Sequence, residues 1–497
     1  MSCVEAEKAE AGVFERIFYP RRIAVVGVSP NGMGFGSGML AALRAIGFEG
    51  TIYAVNPRGG EFFGMKLYKS IGEIPTPIDF AVIAVRAAIV PEMLEACREK
   101  GAAGAEILSS GFSETGTAEG IALEREIREC AQRGMRIIGP NCFGIYCPGS
   151  GLTLLPGPEL SRTSGPVGFL SQSGGMSIDF AHLGKWMGVK FSKVISFGNG
   201  ADLREAELLR YMGDDAETDV ITMYVEGVED GEEFFDTLRD VTAEKPVIVY
   251  KGGLSDAGNR AVLSHTASMG GSARIWKSVL TQCNAVQVHD LNEMAQASLA
   301  FSCLPGKVYR GISVAGGGGA LGVSACDSAE QFGFELPPLE KGISDRIMEI
   351  LPKPGSSAGN PIDVANPMVP PEVLKQTLLC AAEDSRVDIQ ILVQLLYHYK
   401  SVALGLGVES VKDVTPYGAL ADAVHDVVTT TGKPVILVLP NNKRDRESLD
   451  IEDMMREARD IFLEKGIPVF DDLTDALRAV SHVSNYYETK QRRQQGI

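Results

Sequence analysis

Short, almost wholly apolar runs alternate along this chain with longer stretches whose apolar positions recur at helical spacing. In the first part the apolar runs are Arg22–Gly27, Thr51–Val55, Asp79–Val85, Ala105–Leu108 and Met135–Ile138. The helical stretches between them are Ser37–Ile46, Val90–Lys100 and Ala118–Arg133. Strands that are apolar on both faces predict a parallel sheet covered by helices on both sides. A segment rich in Gly, Pro and Ser follows, from Pro148 to Gly165. The alternation then restarts with strands at Pro166–Leu170, Lys193–Ser196, Asp219–Val225 and Pro246–Tyr250, and helices from Met176 and from about Ser272. It starts a third time near Lys307, with strands at Gly311–Ala315, Val387–Val393, Pro434–Val438 and Pro468–Phe470. The fold class is therefore α/β, with domains expected at 13–150, 165–304 and 307–485. The third reads as a degenerate repeat of the second, since Lys245-Pro-Val-Ile-Val249 matches Lys433-Pro-Val-Ile-Leu437.

The chemistry gathers where strands end. The first strand runs into a Gly-rich turn, Val28–Gly36, which leads into a helix N-terminus, an arrangement that suits phosphate. The second strand ends in Asn56-Pro-Arg58 rather than the acidic residue that would hold a ribose diol. A nucleotide-type fold with a ligand other than NAD fits both facts. In the second domain, Ser171-Gln-Ser-Gly-Gly175 again puts small polar residues at a strand-to-helix junction. The strand ending at Val225 delivers a carboxylate, Glu226, to the sheet's C-terminal edge. After the next strand comes GNRAVLSHTASMGG, Gly258–Gly271, which sets His265 among small residues. This stretch reads as a mobile loop on which a histidine could move between two sites. Glu226 and His265 leave neighbouring strands, so they could meet.

Composition narrows the partners. The chain has 497 residues and a formal net charge of −17, which argues against nucleic acid as the main partner. No apolar run reaches about 18 residues, so no membrane span is expected. The acidic N-terminus MSCVEAEKAEAG lacks the apolar core of a secretory signal. Nine scattered cysteines without CxxC spacing fit reduced thiols in a cytoplasmic protein and no metal site.

Several stretches, in order, carry a resemblance. They are Ile23–Ser29, Val55–Pro57, Ser110–Gly116, Gly139–Gly144, Leu170–Gly174, Ser196–Asn199, Tyr224–Gly227 and Ser264–Thr266. Together they resemble the α subunits of ADP-forming (NDP-forming) acyl-CoA synthetases, in the succinyl-CoA synthetase superfamily. The resemblance covers nearly the whole chain. It implies a Rossmann-like CoA-binding domain followed by two flavodoxin-like domains. It implies interconversion of acyl-CoA, ADP and phosphate with acid, CoA and ATP, through an acyl phosphate and a phosphohistidine. His265 would carry the phosphoryl group and Glu226 would orient its imidazole. Gly27, Ser29, Gly36, Asn56 and Arg86 would line the coenzyme A site. Ser171, Gln172, Ser173, Gly174 and Asn141 would line the phosphate site. With no ATP-grasp region after Ile497, ADP or ATP with its Mg is expected on a separate β subunit.

Three departures accompany the resemblance. Ala267 stands where the family has glycine after Ser-His-Thr, and Val85-Arg86 stands where it has Val-Pro. The third domain's Ala315–Ala320 opening also differs. Arg86 could select an acidic acyl group or contact phosphate. The competing readings are a catalytically silent CoA-binding regulatory protein and an NAD(P)-dependent oxidoreductase.

Overall fold

The computed structural model describes residues 12–155, 159–266 and 272–496, with the main chain only at 263–266. The chain divides into two compact units, Met1–Ala295 and Gln296–Ile497.

The first unit contains two sheets. A helix over residues 12–18 (α1) precedes β1 (Arg22–Val26), α2 (Phe35–Ile46), β2 (Thr51–Val55) and a hairpin of β3 (Glu61–Phe62) and β4 (Met65–Tyr68). Then come β5 (Phe80–Ile83), α3 (Val90–Glu99), β6 (Gly104–Ile107), α4 (Ala118–Ala131) and β7 (Arg136–Ile138). The strand order is β3-β4-β2-β1-β5-β6-β7, parallel except for the β3–β4 hairpin. The order reverses between β1 and β5, which opens a crevice beyond their C-terminal ends.

The next strand, β8 (Gly144–Tyr146), leaves this sheet and pairs antiparallel with β10 of the second. The sequence reading places residues 144–146 in the domain at 13–150 and predicts no strand there. The second sheet continues through β9 (Val167–Ser171), α5 (Gly174–Met187), β10 (Phe191–Ser196), α6 (Glu205–Asp214), β11 (Val220–Val225), α7 (Gly231–Glu244), β12 (Val247–Lys251), α8 (Asp256–Thr266), α9 (Ala273–Cys283) and β13 (Val286–Val288). Its order is β13-β12-β11-β9-β10-β8. Apart from β8, this is the flavodoxin-like order in which the second strand lies outside the first.

One apolar core joins the two sheets. Phe14 and Phe18 of α1 stack on Tyr211 of α6 at 4.5 and 4.8 Å between ring centroids. Arg136 at the start of β7 bonds Asp202 at 3.0 Å and Glu207 through two guanidinium nitrogens.

The second unit repeats the pattern of the second sheet. Helix α10 (Leu291–Cys303) straddles the division between units. The sequence reading divides the chain after α10, at 304–307. The later half of α10 belongs with the last helix, α17 (Leu473–Gln494), where Gln296 bonds Asp475 at 2.8 Å and Phe301 meets Tyr486. Strands β14 (Ile312–Gly316), β15 (Ser357–Ala358), β16 (Ile362–Asp363), β17 (Ile389–Val393), β18 (Val435–Val438) and β19 (Val469–Phe470) lie in the order β15-β16-β14-β17-β18-β19. Both flavodoxin-like sheets thus carry one antiparallel strand, β8 or β15, outside their second parallel strand.

A buried carboxyl holds the crossover to β8. Glu106 on β6 is 2% exposed and accepts from the amide of Ile145 at 3.1 Å. Gly144 has φ +86°, and a Cβ there would lie 2.5 Å from the Glu106 carboxyl. Burial pushes the Glu106 carboxyl up to about 8. The folded protein therefore keeps a proton that the unfolded chain releases near pH 4. Stability should fall as pH rises from about 4 to about 8, by roughly 2 kcal/mol or more. Glu106→Gln keeps the acceptor for Ile145 and should abolish that slope, which thermal melts of both proteins at pH 5 and pH 8 would reveal.

Candidate functional site

Three neighbouring strands of the second sheet, β9, β11 and β12, end side by side. Each delivers a polar residue into a buried environment: Ser171 and Gln172 after β9, Glu226 after β11, and Lys251 at the end of β12. Fully apolar strands reach this edge because both sheet faces are covered. Their polar termini must therefore find partners inside the protein.

Glu226 is held by its surroundings. Gln172 accepts the amides of Glu226 and Gly227, the latter at 3.0 Å, and donates to the Gly227 carbonyl at 2.7 Å. The Gln172 amide itself donates to Tyr224 O at 3.2 Å. The carbonyl oxygen and one N–H of this side chain are thus engaged by the Glu226–Gly227 turn, so Gln172 acts as a strut for the carboxylate. Tyr224 Oη donates to Glu226 Oε1 at 3.2 Å. Burial, together with the adjacent Glu226, pushes the Tyr224 hydroxyl's ionisation up. The other oxygen, Glu226 Oε2, is buried and has no hydrogen-bond partner among the described residues.

Lys251 escaped the sequence reading, although a lysine closing the apolar run Pro246-Val-Ile-Val-Tyr250 is a legible signal of a buried charge. It is 2% exposed, and its Nζ donates to the carbonyls of Glu226, at 2.7 Å, and Gly252. The Nζ also sits 5.0 Å from the centre of the Trp276 ring. Burial lowers its ionisation to about 8, against the opposing pull of Glu226.

The Ser171–Gly174 turn caps α5. Ser173 Oγ accepts from the Met176 amide at 3.4 Å, and the Ser173 amide donates to Ser171 Oγ at 3.1 Å. The sequence reading offered the Ser173 amide to phosphate; the hydroxyl of Ser171 already occupies it. The amides at Gly174 and Gly175 remain as first-turn donors facing outward along the helix dipole. A Cβ at Gly174 would lie 3.0 Å from the Phe143 ring, so the close approach needs glycine.

Asn141 lies on the loop between the two sheets of this unit, at φ +56°. Its amide nitrogen donates to Asn199 Oδ1 at 3.3 Å. Asn199 Nδ2 in turn reaches Glu114 at 2.6 Å and Glu124 at 3.0 Å. One network thus gathers Ser110–Gly116, Gly139–Gly144 and Ser196–Asn199, three stretches far apart in sequence. Helix α8 packs against the short turn Ser113–Thr115 of this network.

His265 lies on the last turn of α8, not on a loop. Asp256 opens this helix after Gly253, whose φ of +74° turns the chain out of β12. The sequence reading weighed the small residues around His265 and passed over Asp256-Ala-Gly-Asn-Arg-Ala-Val-Leu263, whose spacing sustains a helix. The His265 side chain, and Ala267, Gly270 and Gly271, fall outside the described residues.

In the first sheet, Gly27 and Gly36 make the turn after β1 close on itself. A Cβ at Gly27 would lie 2.2 Å from Ala84 O, and one at Gly36 would lie 2.6 Å from Gly27 O. Ser29 donates its amide to Ser37 Oγ at 2.8 Å. Asn56 Nδ2 donates to Val28 O at 2.7 Å, so it braces the turn from the end of β2. Arg86, after β5, is exposed; its carbonyl accepts the Ile89 amide at 3.0 Å, and its side chain makes no hydrogen bond or ion pair among the described residues. Gly27, Ser29 and Gly36 thus belong to the turn after β1, Asn56 braces that turn from the end of β2, and Arg86 follows β5. No helix among the described residues is long and apolar enough to cross a membrane.

Comparison with known proteins agrees with this layout. Residues 21–148 match the model of a CoA binding domain, and residues 164–301 match that of a succinyl-CoA ligase like flavodoxin domain. The chain is 33% identical over 476 residues to acetate–CoA ligase (ADP-forming) I of Archaeoglobus fulgidus, covering 95% of this chain but only 63% of that protein. It is 32% identical over 468 residues to acetate–CoA ligase (ADP-forming) II subunit alpha of Pyrococcus furiosus, covering 94% and 96%. A dinucleotide forming acetyl-coenzyme A synthetase 1 of Ca. Korarchaeum cryptofilum, solved in complex with phosphate and ADP, superposes with TM-score 0.79 at 28% identity, covering 97% and 99%.

The Gln172 strut yields a test. Gln172→Met keeps the length but strands two amides and a carbonyl, which should cost about 2–3 kcal/mol in chemical denaturation.

Proposed function

Because this chain belongs to the family of ADP-forming acetate–CoA ligases, we propose that it carries the acyl-CoA and phosphohistidine half of an ADP-forming acyl-CoA synthetase. The overall reaction would interconvert acyl-CoA, ADP and phosphate with carboxylic acid, CoA and ATP. The observation that carries the reading is Glu226 Oε2, a carboxylate oxygen buried without a partner on a braced strand end. Such an oxygen is costly unless a donor arrives during the cycle, and the ring N–H of His265 is the donor this reading supplies.

Coenzyme A would lie across the β1–β5 crevice, its phosphates against the Gly27–Gly36 turn, with Asn56 holding that turn. Inorganic phosphate would attack the thioester carbonyl and expel CoA as a thiolate, leaving an acyl phosphate. The unprotonated ring nitrogen of His265 would then attack phosphorus and displace the carboxylate. Glu226 would accept the other ring N–H, fix the tautomer and balance the positive charge that develops on the ring. The amides of Gly174 and Gly175 would face the phosphoryl oxygens, with Asn141 lining the same space. Transfer to ADP requires a nucleotide site, which this reading assigns to an ATP-grasp β subunit. Any magnesium would enter with that nucleotide, and no step is routed through it. Arg86 is free to meet the acyl end or a CoA phosphate.

The test uses radiolabelled inorganic phosphate and a panel of acyl-CoAs, with base quenching and peptide mapping. Acid-labile label is expected on His265 with at least one acyl-CoA. His265→Asn should abolish it, and Glu226→Gln should slow it by about 100-fold. CoA binding without label, even with an ATP-grasp subunit added, would instead support a silent CoA-binding protein.

A further inference from the structure

Lys251 is a buried cation whose one nearby opposite charge, Glu226, makes no ion-pair contact with it. No carboxylate lies within ion-pair distance of its Nζ among the described residues, and both of its bonded partners are neutral carbonyls. An ammonium group has three donors, so one N–H is left over. Burying such a charge is costly unless an anion compensates it. Packing does not require the charge, since a methionine would fill the same path beneath Trp276. The site in which it stands is the one where, on the reading above, a dianionic phosphoryl group arrives and departs.

We propose that Lys251 is a positioning residue for phosphoryl transfer: its Nζ clamps the Glu226 main chain, and its charge balances the phosphoryl group held on His265. This inference rests on the phosphohistidine reading. The charge of Lys251 would favour the phosphorylated enzyme and would do so only while the amine is protonated. Its ionisation lies near 8, so the effect should fade over an accessible range of pH.

The groups around Lys251 leave it as the one expected to titrate there. Glu226 of β11 is the one charge that acts on it among the described residues. Tyr224 of β11 is pushed upward in ionisation by burial and by Glu226. Strand β13 carries no titratable side chain, and α7 turns Phe234 and Leu238 inward. Helix α9 offers the Trp276 ring, while its Arg274 and Lys277 are exposed, as are Asp256 and Arg260 of α8. Tyr250 on β12 packs edge-on against Tyr224, and His265 of α8 is the acceptor itself.

The experiment measures the fraction of chain labelled at equilibrium from radiolabelled phosphate and the acyl-CoA that labels best, from pH 6 to pH 10. Wild type should lose labelling about tenfold between pH 7 and pH 9. Lys251→Arg should hold its labelling through pH 9. Lys251→Met should label about tenfold less than wild type at pH 7 and show no decline specific to pH 8, with CoA binding and thermal melts confirming its fold. Equal labelling by Lys251→Met and wild type, or the same decline in Lys251→Arg as in wild type, overturns the inference. If neither variant folds, wild type decides: labelling unchanged from pH 7 to pH 9 overturns it. A wild type that labels at no pH refutes the phosphohistidine reading instead, which separates the two failures.

Discussion

The unpartnered oxygen of Glu226 is the constraint around which this unit is arranged. A buried carboxylate has to be oriented by something other than water, and here three strands cooperate to do it. Gln172 from β9 holds the turn at the Glu226 and Gly227 amides. Tyr224 from β11 takes one carboxylate oxygen, and Lys251 from β12 grips the Glu226 carbonyl. A side chain at Gly252 would strike Tyr224 Oη at 2.6 Å, so even the glycine beyond β12 belongs to the brace. The result is a carboxylate with one oxygen committed and one without a hydrogen-bond partner among the described residues.

The same unit joins its two sheets by polar as well as apolar contacts. The Asn141–Asn199 pair and the carboxylates of Glu114 and Glu124 bridge loops from both. Since α8 packs against the Ser113–Thr115 turn, the element bearing His265 sits beside this bridge. The loops that follow β6 and β7 on the first sheet and β10 on the second are thus tied together through this bridge.

The second unit repeats the layout of the second sheet with different residues at its strand ends. It keeps the strand order, the antiparallel edge strand and the lysine-proline run before its fourth parallel strand. Among the described residues, Gln394 follows β17 where Glu226 follows β11, and Leu439 follows β18 where Lys251 closes β12. Where the first unit has Ser171–Gly174, the second has Gly316–Gly319, with Asp363 accepting the Gly318 amide at 3.0 Å. A carboxylate at that helix start occupies the place where an anion would otherwise bind. The Gly359–Pro367 stretch, obscure as sequence, forms this contact.

The sequence by itself determined the α/β class, the long parallel strands, the helices α2 to α5 and α9, and the polar residues that stand at strand ends. Apolar runs bounded by Gly, Pro and Asn are local signals, and local signals are what a chain displays. Glu226 and the Gly-rich turns were legible for that reason. Tertiary structure alone decided that β8 crosses to the second sheet, because a three-residue strand has no periodicity and its partner lies far along the chain. It also decided that Gln172 braces the carboxylate and that Lys251 is buried beside it. Those roles depend on which strands become neighbours, and that is settled by sheet order, a non-local property. The helix Asp256–Thr266 was readable in its apolar spacing, but the small residues around His265 suit a loop equally well, so the local signal was divided.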